Sequence, residues 1–133
     1  MIRRAQEIFS GLTEGRYTRI ATPLGLFEPT VSDGTSIGKP PARLSRATAE
    51  QLFLALRLSY IENLSGANPV LPVLMDDVLV NFDHDRRSAA AKVIAEFARN
   101  RQVLFFTCHP ATVDAFSKHA DGCTVLELGG GVD

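Results

Sequence analysis

Two adjacent aspartates, Asp76 and Asp77, close the run VLPVLMDD, and a histidine, His109, stands at the end of the run VLFFTCHP, just before Pro110. Both runs are short and almost wholly apolar, the pattern of strands covered on two faces. Two like charges at the end of such a strand cost desolvation and mutual repulsion unless a cation or a reaction uses them. A magnesium ion held by Asp76, directly or through water, offsets that cost. Asp77 is then placed to orient or deprotonate a water attacking a phosphate. A histidine at the same carboxyl edge, beside a helix start, is placed to contact a terminal phosphate and that water. Plainer roles stay open: the aspartates opening a solvated loop, and His109 serving as a helix cap. Cys108 beside His109 suggests a thiol–imidazole dyad, but neighbours on an extended chain point apart, so the dyad is set aside.

Two further stretches bear on phosphate chemistry. LSRATAEQ, from Leu44, puts Ser45 at the amino end of a long helix, where free N–H groups and the positive end of the helix dipole suit an anion. A plain N-cap uses the same residue. DGTSIGKP superficially offers a phosphate loop, yet Asp33 stands where G-x-x-x-x-G-K-[ST] needs its first glycine and Pro40 where it needs a hydroxyl. It is rejected as a Walker A motif.

The elements positioning these groups follow from periodicity. Strands are expected at 70–75, 102–107 and 123–128. Helices are expected at 84–100, with a stripe of Ala90, Val93, Ile94, Phe97 and Ala98 behind an Asp83 cap, and at 110–120, opened by Pro110. The alternation predicts an α/β fold with a mostly parallel sheet flanked by helices. Upstream, TAEQLFLALRLSYIENL is apolar nearly all round and so expected to be buried, with Thr48 and Gln51 at capping-box spacing. Asn68-Pro69 breaks the chain before the first strand. Residues 1–43 predict a short helix ending near Gly11, a β-hairpin from RYTRIA and LFEPTV around a Pro-Leu-Gly turn, and a polar loop. The closing GGGVD reads as a frayed tail.

At 133 residues the chain predicts a single domain, 1–133, made of regions 1–43 and 44–133. A net charge of −1 supplies no electrostatic case for nucleic acid or membrane surfaces. Met1 leads into IRRAQEIFSGL and not into an apolar leader, no run is long enough to span a membrane, and the cysteines, Cys108 and Cys123, have no disulfide spacing. A cytoplasmic protein with free thiols is expected.

LSRATAEQLFLALRL, then LPVLMDDVLVNFDHDR, then VLFFTCHP, follow the order of signature motif, Walker B, D-loop and H-loop. In this the chain resembles the C-terminal lobe of an ABC-type ATPase head. It is most similar to the coiled-coil branch of structural-maintenance-of-chromosomes and double-strand-break-repair proteins, and within it to bacterial chromosome-segregation-type ATPases. IFSGLTEGRYTRI is similar to the segment where the returning coiled coil re-enters such heads. The resemblance implies a P-loop NTPase-like fold, ATP and Mg2+ as cofactors of the complete head, Asp76 as magnesium ligand, and Asp77 and His109 as catalytic groups. It implies that Leu44, Ser45, Arg46, Ala47 and Thr48 meet ATP held by the opposite protomer, and that Asn81, Phe82 and Asp83 form the D-loop at the dimer interface. Ala47 stands where the family has glycine, and Asp77 where most heads have glutamate. The Walker A lobe, absent from this sequence, is the implied partner, along with a second head and, in a role in DNA repair or chromosome maintenance, DNA. Two other functions remain open: a self-contained magnesium-dependent phosphoryl hydrolase using Asp76, Asp77, Asp83 and Asp85, and a catalytically silent dimerisation module.

Overall fold

A computed structural model describes residues 1–25, 28–35, 38–64 and 70–129. Helix α1 (Ile2–Leu12) turns Ala5, Ile8, Phe9 and Leu12 inward, a spacing of three and four that makes one apolar stripe. It lies antiparallel to α2 (Arg46–Leu64) and is tied to it at both ends. Arg4 Nε donates to Glu62 Oε2 at 2.6 Å, and Gln51 Nε2 donates to the Leu12 carbonyl at 2.6 Å. Between these ties Leu52, Ala55 and Leu58 are buried, each leucine contributing about 1.5–3 kcal/mol of apolar burial. The all-round burial expected of α2 is not found. Phe53, Tyr60 and Leu64 face outward and are exposed, because among the described residues α1 packs along one side of the helix only.

Strands β1 (Arg19–Ala21) and β2 (Thr30–Ser32) form the expected hairpin, with Ile20 opposite Val31 and both buried. Lys39 adds a bridge to Val31, and a 3-10 turn at Pro41–Arg43 leads to α2. The Pro-Leu-Gly turn is described as far as Gly25. The Asn68-Pro69 break and the last four residues of the chain fall outside the described residues.

Strand β3 (Val73–Asp76) crosses through α3 (His84–Phe97) to β4 (Val103–Phe106), which pairs parallel to it: Val73 with Val103, Met75 with Phe105, Asp76 with Phe106. Helix α4 (Pro110–His119) follows, its Phe116 ring 4.8 Å from that of Phe105. Alternation along the two strands divides their side chains. Met75 is buried and Val73, Val103 and Phe105 pack on the core, whereas Leu74, Leu104 and Phe106 point the other way and are exposed, Leu74 by 67%.

The sequence therefore overstated the sheet. Among the described residues there are two sheets of two strands, one antiparallel and one parallel, and not one mostly parallel sheet. Residues 123–128 form no strand there, and Val125, Leu126 and Leu128 are exposed. A two-sided apolar strand needs an apolar layer on each face, and the described helices cover one face of β3 and β4 only. The fold remains α/β. No helix among the described residues is long and apolar enough to cross a membrane.

Candidate functional site at the carboxyl edge of β3 and β4

The paired aspartates part company as soon as the strand ends. Asp76 is the last residue of β3 and, two positions after Leu74, shares its outward face; its carboxylate is exposed and takes part in no hydrogen bond or ion pair among the described residues. Asp77 still bonds the neighbouring strand, its N–H to the Phe106 carbonyl at 2.8 Å, but its backbone enters the left-handed region at φ 47°. Aspartate tolerates that conformation better than most residues, at a cost of order 1–3 kcal/mol. The flip turns its side chain toward the end of β4. A tight turn follows, with Val80 N–H to the Asp77 carbonyl at 3.2 Å and Leu79 and Phe82 sunk in the core.

Both oxygens of Asp77 are engaged. Thr107 Oγ1 donates to Oδ1 at 2.9 Å, and His109 Nε2 lies 3.2 Å from Oδ2. The same Thr107 hydroxyl accepts the His109 backbone N–H at 3.1 Å, so one threonine positions both partners. The Asp77 side chain is 26% exposed and that of His109 44%, so water and a ligand can reach the pair. His109 is the N-cap residue of α4 but makes no capping bond with its side chain, which leaves the ring for Asp77. Cys108 also comes close, with Sγ, a His109 ring nitrogen and an Asp77 oxygen all within 4.8 Å of one another. Strand alternation no longer separates neighbours here, because β4 ended at Phe106.

The start of α2 differs in detail from expectation. Ser45 is the cap: its Oγ accepts the Thr48 N–H at 3.2 Å and lies 2.8 Å from Thr48 Oγ1. Thr48 and Gln51 form no capping box. Thr48 is buried beneath the serine, and Gln51 is buried with its amide spent on Leu12. Leu44 and Ala47 are partly buried, and Arg46 is exposed. Arg46 Nε and Asn81 Nδ2 both donate to Glu50 Oε1, at 3.1 and 2.9 Å, so the turn after β3 is bonded to the first turn of α2. Phe82 is 3% exposed and cannot present its ring to another molecule; of Asn81, Phe82 and Asp83, only the outer two have exposed side chains. Asp83 caps α3 as expected, accepting the Arg86 N–H at 2.9 Å and pairing with its guanidinium at 2.6 Å. That backbone bond, joined by the Arg86 charge, holds the Asp83 carboxyl below the usual carboxylate range.

An exposed carboxylate at a parallel sheet's carboxyl edge, beside a carboxylate–imidazole pair, is an arrangement for a cation and a polarised water. Superposition on an SMC ATPase head, from the structural biochemistry of ATP-driven dimerization and DNA-stimulated activation of SMC ATPases, gives a TM-score of 0.67 at 19% identity, covering 86% of this chain and 70% of that one. The fold is that of an SMC ATPase head lobe. An Smc head bound to the C-winged helix domain of ScpA matches with a TM-score of 0.66 at 19% identity, over 86% of this chain and 36% of that one. An Smc head with an extended coiled coil, bound to the C-terminal domain of ScpA and derived from Pyrococcus furiosus, matches with a TM-score of 0.62 at 19% identity, over 86% and 29%. In sequence, this chain is 33% identical over 124 residues to the uncharacterized protein YhaN of Bacillus subtilis (strain 168). That match takes in 87% of this chain and 12% of YhaN, so the lobe spans about an eighth of that relative's length. No protein-family model matches the chain.

Two residues around the site carry no signal in the sequence. Thr107, which orients both Asp77 and His109, is an ordinary strand-end residue until β3 and β4 are known to be neighbours. Glu50 is a solvated helix position until Asn81, 31 residues away, is seen to reach it.

Proposed function

We propose that this chain is the C-terminal lobe of an ABC/SMC-like ATPase that binds and hydrolyses ATP between two dimerised heads, in DNA repair or chromosome maintenance. It acts only when joined to a lobe carrying a Walker A motif. What carries this proposal is the pair of Asp77 and His109, fixed by Thr107, beside the unengaged carboxylate of Asp76. Asp76 fits Mg2+, a hard cation that keeps most of its waters and needs one or two carboxylates plus phosphate oxygens. When bound, that ion neutralises charge on the phosphates. Asp77 then positions and deprotonates the attacking water, while His109, its Nε2 3.2 Å from Asp77 Oδ2, faces the terminal phosphate. Ser45 and the first turn of α2 offer hydroxyl and N–H groups to the nucleotide of the opposite head, and Asn81 and Asp83 line the dimer contact. The bare face of Leu74, Leu104 and Phe106 suits the missing lobe, which would supply the second apolar layer.

The test is reconstitution with a Walker A lobe followed by calorimetric titration with Mg-ATP. The chain alone is expected to show neither tight binding nor hydrolysis, because the phosphate loop and its lysine are elsewhere. Micromolar affinity in the isolated chain refutes the two-lobe arrangement. A catalytically silent dimerisation module is favoured by Ala47 in place of glycine and by Ser45 already serving as a cap. A reconstituted head that binds ATP and dimerises without turnover would decide for it.

A further inference from the structure

We propose that Asp77, Cys108 and His109 form a binding site for a thiophilic divalent cation, with zinc the metal they suit best. One ligand atom from each of the three lies within 4.8 Å of the other two. Asp77 Oδ2 and His109 Nε2 are 3.2 Å apart. Around a tetrahedral zinc with Zn–N and Zn–O bonds of about 2.0–2.1 Å, two such atoms stand roughly 3.3 Å apart. The oxygen and nitrogen are therefore already at coordination spacing. A sulfur about 2.3 Å from the same ion stands roughly 3.5 Å from each of them. Cys108 closes that gap by turning about χ1, which its exposed position permits.

The surroundings support the same assignment. Thr107 occupies Oδ1 of Asp77, leaving Oδ2 for the metal, and holds the His109 backbone through a second bond; such outer hydrogen bonds orient metal ligands. The partial exposure of Asp77 and His109 leaves a fourth position for water. Thiolate with imidazole selects zinc over magnesium, which prefers oxygen alone. As the S–Zn bond forms, the Cys108 thiol releases its proton to solvent. His109 coordinates through the Nε2 lone pair, with its ring proton on Nδ1. No electron transfer is involved.

The site stands apart from whether the head hydrolyses ATP. Its regulatory consequence, that zinc withdraws Asp77 and His109 from catalysis, rests on the function proposed above. The direct test is competition between the full chain and a chromophoric chelator for Zn2+, with Co2+ as a spectroscopic probe of thiolate ligation. A single zinc site and a thiolate-to-cobalt charge-transfer band are expected. Cys108→Ser should abolish the band and weaken zinc by more than the roughly 10–100-fold that loss of an outer hydrogen bond costs. His109→Asn should weaken it comparably, while Cys123→Ser changes neither. Circular dichroism establishes that each variant is folded. Zinc affinity equal in wild type and Cys108→Ser, or lost only with Cys123→Ser, overturns the proposal. Zinc bound as expected but without effect on turnover of a reconstituted head upholds the site and refutes the catalytic roles of Asp77 and His109.

Discussion

Replacing Thr107 with valine keeps the shape of the side chain and removes one oxygen. That oxygen makes two bonds, donating to Asp77 Oδ1 at 2.9 Å and accepting from the His109 N–H at 3.1 Å. A hydrogen bond to a charged group contributes about 1.5–3 kcal/mol net and a neutral one about 0.5–1.5 kcal/mol. Both partners are partly exposed, so water recovers some of each, and we expect Thr107→Val to destabilise the chain by about 1–2 kcal/mol. The left-handed backbone of Asp77 persists only while its surroundings hold it, which keeps the estimate from falling further. Thr107→Ser restores the hydroxyl and should recover most of the loss. Urea unfolding reads both as shifts in midpoint at constant slope. A valine variant within about 0.3 kcal/mol of wild type, or a serine variant as damaged as the valine one, means the hydroxyl does not hold this edge together.

Asp77→Asn in a reconstituted head should bind Mg-ATP normally while turnover falls roughly 10²–10⁴-fold, the range for a general base; unchanged steady-state hydrolysis removes Asp77 from that role. Ser45→Arg should abolish ATP-driven dimerisation, read by size-exclusion chromatography with light scattering, while each head still binds nucleotide; equal dimerisation favours the silent module. Asp83→Ala should cost about 0.5–2 kcal/mol at neutral pH, the usual range for a lost N-cap. Because the folded Asp83 carboxyl titrates below its ordinary 3.8, the cap's contribution is present above that value and disappears as acid protonates the folded carboxylate. Wild-type and Asp83→Ala stabilities, measured by denaturant titration, should therefore converge at low pH.

Elements with a strong local signature were legible in the sequence. The α3 stripe behind its Asp83 cap, Pro110 at the head of α4, the hairpin and the strands ending in Asp76 and just before His109 stand in the structure within a few residues of expectation. What escaped depends on contacts that local pattern does not encode. The apolar runs at 70–75 and 123–128 carry the composition of doubly covered strands, but coverage is a property of neighbours, and among the described residues a layer lies on one face only. Ser45 caps α2, three residues before the Thr48 that the capping-box spacing names, because its hydroxyl takes the Thr48 N–H and leaves Thr48 buried inside the first turn. Within the candidate site, Asp77 and His109 were nameable from their positions at strand ends. Their direct pairing, and Thr107 between them, required the register that sets Asp76 beside Phe106.

The two ties between α1 and α2 have a mechanical meaning. Because the helices run antiparallel and are fastened near both ends, by Arg4 with Glu62 and by Gln51 with the Leu12 carbonyl, neither slides along the other without breaking a 2.6 Å bond. The pair is thereby braced like a single rod against a push or twist applied at Met1. Its far end is the first turn of α2, where Ser45 and Arg46 sit and where Glu50 is bonded to Asn81. A continuous run of bonded groups thus joins the start of the chain to the rim of the candidate site.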